Sequence, residues 1–140
     1  MKAVSRCLVG LAMTGVMWGT LASTAGAHHS RQAFDTTRDV TLIGIVKRFE
    51  WTNPHTYLYI DVTDDQGKVT EWGIEFAAVG QLIRRGFTPQ TFKPGAKVKA
   101  VGNIARDPNE KLMLMKEVFG FSASGTEVPL PTPKTSAALQ

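Results

Sequence analysis

The chain has 140 residues, 43% of them hydrophobic and 20% charged, with one cysteine and a formal net charge of +4. That length suits a single domain, and a lone cysteine excludes an intrachain disulfide and a Cys-based zinc centre. No run of Lys or Arg marks a nucleic-acid footprint, so nucleic acid is not an expected partner.

Residues 1–27 read as a cleavable secretory signal peptide. Lys2 and Arg6 form the positive start, Cys7 to Leu21 carries no charge, and Ala25-Gly26-Ala27 is a small-x-small cleavage signal. The apolar stretch is shorter than the roughly 20 residues of a spanning helix. No membrane span is therefore expected after processing, and the expected location is periplasmic or secreted. Cys7 precedes the apolar run, unlike a lipid-anchor cysteine, and leaves with the signal. The remaining chain, 28–140, has 14 cations against 12 anions and no cysteine.

Residues 28–38 read as a polar arm with one large apolar residue, Phe34. Residues 39–121 read as the β domain. Asp39 to Glu50 is a long strand carrying apolar side chains on both faces, with Gly44 as its bend point. Trp51-Thr52-Asn53-Pro54 is a turn. His55 to Thr63 is the second strand, with Leu58 and Ile60 on one face and His55, Tyr57 and Tyr59 on the other. Lys68 to Phe76 is the third. A three-residue loop, Asp65-Gln66-Gly67, with Gly67 left-handed, pairs Asp64 with Lys68. Leu58 then faces Ile74, Ile60 faces Trp72 and Tyr57 lies beside Glu75.

Ala77 to Arg85 reads as a short helix with Val79, Leu82 and Ile83 on one side and Gly86 as its stop. Thr88 to Phe92 is read as one more helical turn. Ala96 to Ala105 and Lys111 to Phe119 complete the strands. Ser122 to Gln140, rich in Ser, Thr and Pro, reads as a flexible tail. The expected fold is mostly β: a small five-stranded OB-like barrel with one short helix between strands three and four.

The exported chain has three histidines, in His28-His29-Ser30 and Asn53-Pro54-His55. Cleavage after Ala27 makes His28 the first residue. Its amine and imidazole can chelate Cu(II), with His29 or His55 as the third nitrogen donor. Cleavage after Ala25 gives Gly26-Ala27-His28 instead, a square-planar motif for Cu(II) or Ni(II). Copper is thus the expected cofactor, and a metal ion or a periplasmic protein the expected partner. One difficulty is reach: a first strand of this length sets its ends about 35 Å apart, which an eleven-residue arm barely spans.

Bland readings stand beside these. His55 can serve only to bond the turn or Glu75. Met113 and Met115, a soft pair for Cu(I), more cheaply fill a core. Glu71 and Glu75 are read as a solvated strand face. Trp51, Asn53, Tyr57, Tyr59 and Glu75 form a candidate second shell or interaction face. No Ser-His-Asp set, phosphate loop or zinc-hydrolase spacing is present. A binding protein therefore ranks first, a metal-free ligand- or protein-interaction module second, and a copper-dependent oxidase last.

Several motifs together resemble an uncharacterised family of exported bacterial proteins, a domain of unknown function. They are Ala27-His28-His29-Ser30, Phe34-Asp35, Gly44-x-Val46, Glu50-Trp51-x-Asn53-Pro54-His55, Leu82-x-Arg84-x-Gly86-Phe87 and Lys93-Pro94-Gly95. The resemblance spans about residues 27–120 and implies a secreted or periplasmic β domain. It implies no activity, substrate or catalytic residue, and the fifth-strand methionines lie outside its pattern.

Overall fold

The structure, a computed structural model, describes residues 31–131. Within them β1 (Val40–Glu50), β2 (Tyr57–Thr63) and β3 (Val69–Glu75) run as an antiparallel meander. A helix α1 (Val79–Arg84) precedes β4 (Lys97–Ile104) and β5 (Leu112–Phe121). β4 pairs with β1, β5 with β4, and β5 closes on β3 in parallel through Gly73–Leu112, Ile74–Met113 and Glu75–Leu114. The result is a closed five-stranded OB-like barrel with its helix between β3 and β4.

The β2–β3 hairpin has the register expected from its turn: Leu58 opposes Ile74, Ile60 opposes Trp72, and Tyr57 opposes Glu75. Asp64 N–H donates to the Lys68 carbonyl (3.0 Å), and Gly67 takes φ 81°. Period-two alternation then buries Leu58, Ile60 and Ile74 completely, where they meet Val46, Val98, Ala100 and Met113 in the core.

β1 changes faces, but the bend is at Lys47 and not at Gly44, so it turns Phe49 inward and leaves Ile43 and Ile45 on the outside. The β1–β2 register slips between Val46 and Arg48. Before the slip Leu42, Gly44 and Val46 face inward; after it Phe49 does, stacked edge-on against Phe92 (4.8 Å) and Phe76 (6.0 Å). Gly44 answers a different constraint. A Cβ there would lie 2.7 Å from the Asp61 carbonyl oxygen, so glycine permits the close approach of β2.

Three further expectations change. The helix spans Val79–Arg84, with Leu82 buried but Ile83 59% exposed, because six residues bury only one turn's face. Residues 88–92 form turns and not helix, with Thr91 N–H donating to the Thr88 carbonyl. The segment expected to begin a flexible tail turns at Ser122–Gly125 and adds β6 (Glu127–Pro129) to the edge of β5. Leu130 then packs against the core. The cause is amphipathic: Val128 and Leu130 are apolar residues two apart, and β5 continues far enough to offer them an edge. Residues 132–140 lie outside the described residues.

The arm is also structured where it is described. Arg31–Ala33 is a 3-10 turn, Phe34 is 1% exposed and bridges to Ala105, and Arg106 Nε donates to the Gln32 carbonyl (3.0 Å).

Candidate ligand cavity at His55 and Glu75

A cavity of about 590 Å³ opens where six parts of the chain converge. The turn before β2 contributes Pro54 and His55, and the end of β3 contributes Glu75. α1 contributes Gln81 and Arg85, while β5 contributes Met115 and Lys116. Thr36 of the arm and Asn103 of β4 complete the wall.

Local bonds hold each element in place. Thr52 Oγ1 donates to the His55 carbonyl (3.2 Å), and Phe76 N–H donates to the carbonyl of buried Thr56 (2.8 Å), fixing the turn to the end of β3. Asn53 Oδ1 accepts from Val79 N–H at 3.2 Å. Ala78, at the N-cap of α1, has no capping side chain of its own, so Asn53, from the turn before β2, caps the helix. Buried Asn103 donates through Nδ2 to the Arg38 carbonyl (2.7 Å) and to Asp39 Oδ1 (3.0 Å), which ties the arm to β4. Lys116 Nζ reaches the same Asp39 oxygen at 2.5 Å.

The chemical centre is a pair. His55 Nδ1 contacts Glu75 Oε1. Glu75 is 2% exposed, and its Oε2 is buried without a hydrogen-bond partner among the described residues. The expectation of a solvated strand face therefore holds for half-exposed Glu71, which pairs with Lys47 (2.7 Å) and Arg48 (3.2 Å), and fails for Glu75. The difference is closure: Glu75 pairs with Tyr57 on one side and Leu114 on the other, and the turn, helix and β5 cover what would be the outside of an open sheet. Tyr57 lies beside the carboxylate. Burial, then the charge of Glu75, pushes its phenol up to about 12.

Residues 17–113 match a family model described as a family of unknown function, DUF6152. The chain belongs to this family. No curated protein matches the DUF6152 chain. Among solved structures it is similar to the mitochondrial single-stranded DNA binding protein Rim1 from S. cerevisiae, with 15% identity and a TM-score of 0.43, over 58% of this chain and 91% of that one. It is also similar to the N-terminal domain of PriB protein from Thermoanaerobacter tencongensis, with 19% identity and a TM-score of 0.41, over 65% of this chain and 96% of that one. The assignment of a closed OB-like barrel stands on the strand order itself.

The sequence-predicted residues of this DUF6152 chain fall in different places. His28 and His29 lie outside the described residues. His55 and Glu75 meet in the cavity wall, while Asn53 bonds the first turn of α1 beside it. Tyr57 and Tyr59 are neighbours on the outer sheet face, with ring centroids 6.2 Å apart, and the Arg48 guanidinium lies 3.5 Å over Tyr59. Trp51 packs edge-on against Phe49 (5.5 Å) and the core. Met113 is fully buried core, as its bland reading expected, whereas Met115 lines the cavity. No group of three His, Cys, Asp or Glu able to hold a metal occurs among the described residues. No helix among them is long and apolar enough to cross a membrane.

Thr36, Gln81, Arg85 and Lys116 carry no mark of a site in the sequence, because their convergence is set by closure. The one available signal was Asn103, a polar residue inside the run Val101-Gly102-Asn103-Ile104.

Proposed function

We propose that this chain is an exported periplasmic binding protein that holds Cu(II) between its processed N-terminus and His55. The observation that carries the reading is that Thr36 and His55 line one cavity. The reach difficulty came from measuring along β1. The barrel curls β1 so that the arm enters beside the turn that follows it. Eight residues separate His28 from Thr36, a length of chain that spans up to about 28 Å. His55 supplies one nitrogen donor, and the remaining donors are the amine and imidazole of His28, with His29 as the alternative imidazole. Glu75 on Nδ1 is the carboxylate–histidine pairing that orients a ligand ring and raises its basicity. Bound copper supplies a Lewis-acidic, redox-capable centre.

Mass spectrometry of the exported protein identifies its first residue, with His28 expected. Copper titration then compares the native protein with one carrying Ala-Ser before His28 and with His55→Ala. Each change is expected to weaken Cu(II) binding at least tenfold. Equal affinity in all three removes copper from the reading.

A second reading has its own support. Tyr57 and Tyr59, with Arg48 stacked on Tyr59, form a partly exposed aromatic face suited to a planar or peptide partner. Retained partner binding in Tyr59→Ala would exclude it.

A further inference from the structure

The cavity wall carries a buried carboxylate and a cation with no partner among the described residues. Glu75 commits Oε1 to His55 and leaves Oε2 without a partner among the described residues. A buried polar atom left unsatisfied in a native fold calls for an explanation such as an absent ligand. Tyr57 beside it hydrogen-bonds the carboxylate but brings no positive charge to balance it. Arg85, the exposed C-cap of α1, lines the same cavity, and its side chain makes no ion pair or hydrogen bond among the described residues. Lys116, the other cation on the wall, is already paired with Asp39. The same cavity is lined by apolar Phe76, Ala77, Leu114 and Met115.

We infer that this cavity binds a free α-amino acid with an apolar side chain, its ammonium received by Glu75 and its carboxylate by Arg85. An ammonium gives the buried carboxylate a charge-assisted donor, and a guanidinium fork matches a carboxylate with two parallel bonds. The apolar wall takes the side chain, and about 590 Å³ is ample space for a molecule of that size. The glutamate keeps His55 on its other oxygen, so the amino acid and a copper ion on His55 do not compete for one atom. The inference rests on the cavity being the binding site and is independent of copper.

The test is calorimetry on the exported protein in EDTA, with L-leucine, N-acetyl-L-leucine and L-leucinamide as probes. L-leucine is expected to bind. The acetylated compound, without an ammonium, and the amide, without a carboxylate, are each expected to bind at least tenfold more weakly. Arg85→Gln, a change at an exposed position, is expected to weaken leucine tenfold or more while leaving leucinamide unchanged. Glu75→Gln is expected to do the same for leucine while leaving N-acetyl-leucine unchanged. The inference is overturned if leucine does not bind, if N-acetyl-leucine binds equally well, or if Arg85→Gln has no effect. Because EDTA removes copper, failure here leaves the copper titration standing, and failure of that titration leaves this result standing.

Discussion

Glu75 alternates with Ile74 and Phe76 along β3 and so belongs to the outer face of the hairpin, yet the closing strand and helix remove it from water. Its negative charge has consequences for the residue beside it. Folding keeps the Tyr57 phenol protonated up to about 12, against an ordinary value of 10.0. The unfolded chain therefore loses this proton first as pH rises, and stability falls between pH 10 and 12. Ultraviolet titration of the native protein is expected to show a phenol ionising near pH 12 that is missing in Tyr57→Phe, and a native Tyr57 titrating near 10 would contradict the burial described. The acid limb has the opposite sign. Thr37 and Arg38 hold Asp35 below its ordinary value, Lys116 holds Asp39 down, and Lys47 and Arg48 hold Glu71 down. The stability these carboxylates contribute is present above about pH 4 and is lost as pH falls through their folded values. All three are solvent-screened. The expected result is a modest fall in melting temperature from pH 5 to 3 that shrinks in 0.5 M salt. A fall unaffected by salt would place its origin elsewhere.

At the scale of elements, turn chemistry sets the hairpin. Gly67 occupies a left-handed position with open space around it, so Gly67→Ala meets no clash and suffers only backbone strain, about 1 kcal/mol. Gly80 sits inside α1 with ordinary helical geometry, and an added Cβ would meet only Arg84 Nη1 at 3.9 Å. Gly80→Ala is expected to stabilise by about 0.5–1 kcal/mol. Urea unfolding of the two variants should move in opposite directions, and a shared direction would contradict these backbone assignments. The register of β2 on β3 was legible because alternation and the three-residue loop agree on it. A bend in β1 was expected because Ile43 and Ile45 compete with Leu42 and Val46 for the inside, yet the bend lies beyond both and leaves them outside. Its place at Lys47 was not legible, because a bulge depends on the partner strand. Ile43 and Ile45 end 45% exposed.

In the whole molecule the arm and the closing seam depend on each other. Phe34 is almost wholly buried and bridges to Ala105, just beyond β4. Phe34→Ala is expected to cost about 3 kcal/mol in denaturant unfolding. A loss below about 1 kcal/mol would mean that the arm is not part of the folded unit. The cavity lies at this seam, which is why four of its polar wall residues carried no mark in the sequence while His55 and Glu75 did: those two belong to a hairpin and its entry turn, whose register can be counted.

Short-range chemistry was enough to specify the strand order, the hairpin register and a histidine beside a glutamate. Tertiary structure alone decided that β3 would meet β5, that Glu75 would be sealed from water, and that Thr36 of the arm would stand at the His55 corner. The physical reason is range. Alternation, turns and caps act between neighbours in the chain, whereas closure pairs Gly73 with Leu112 and is settled by how much apolar surface the complete barrel removes from water.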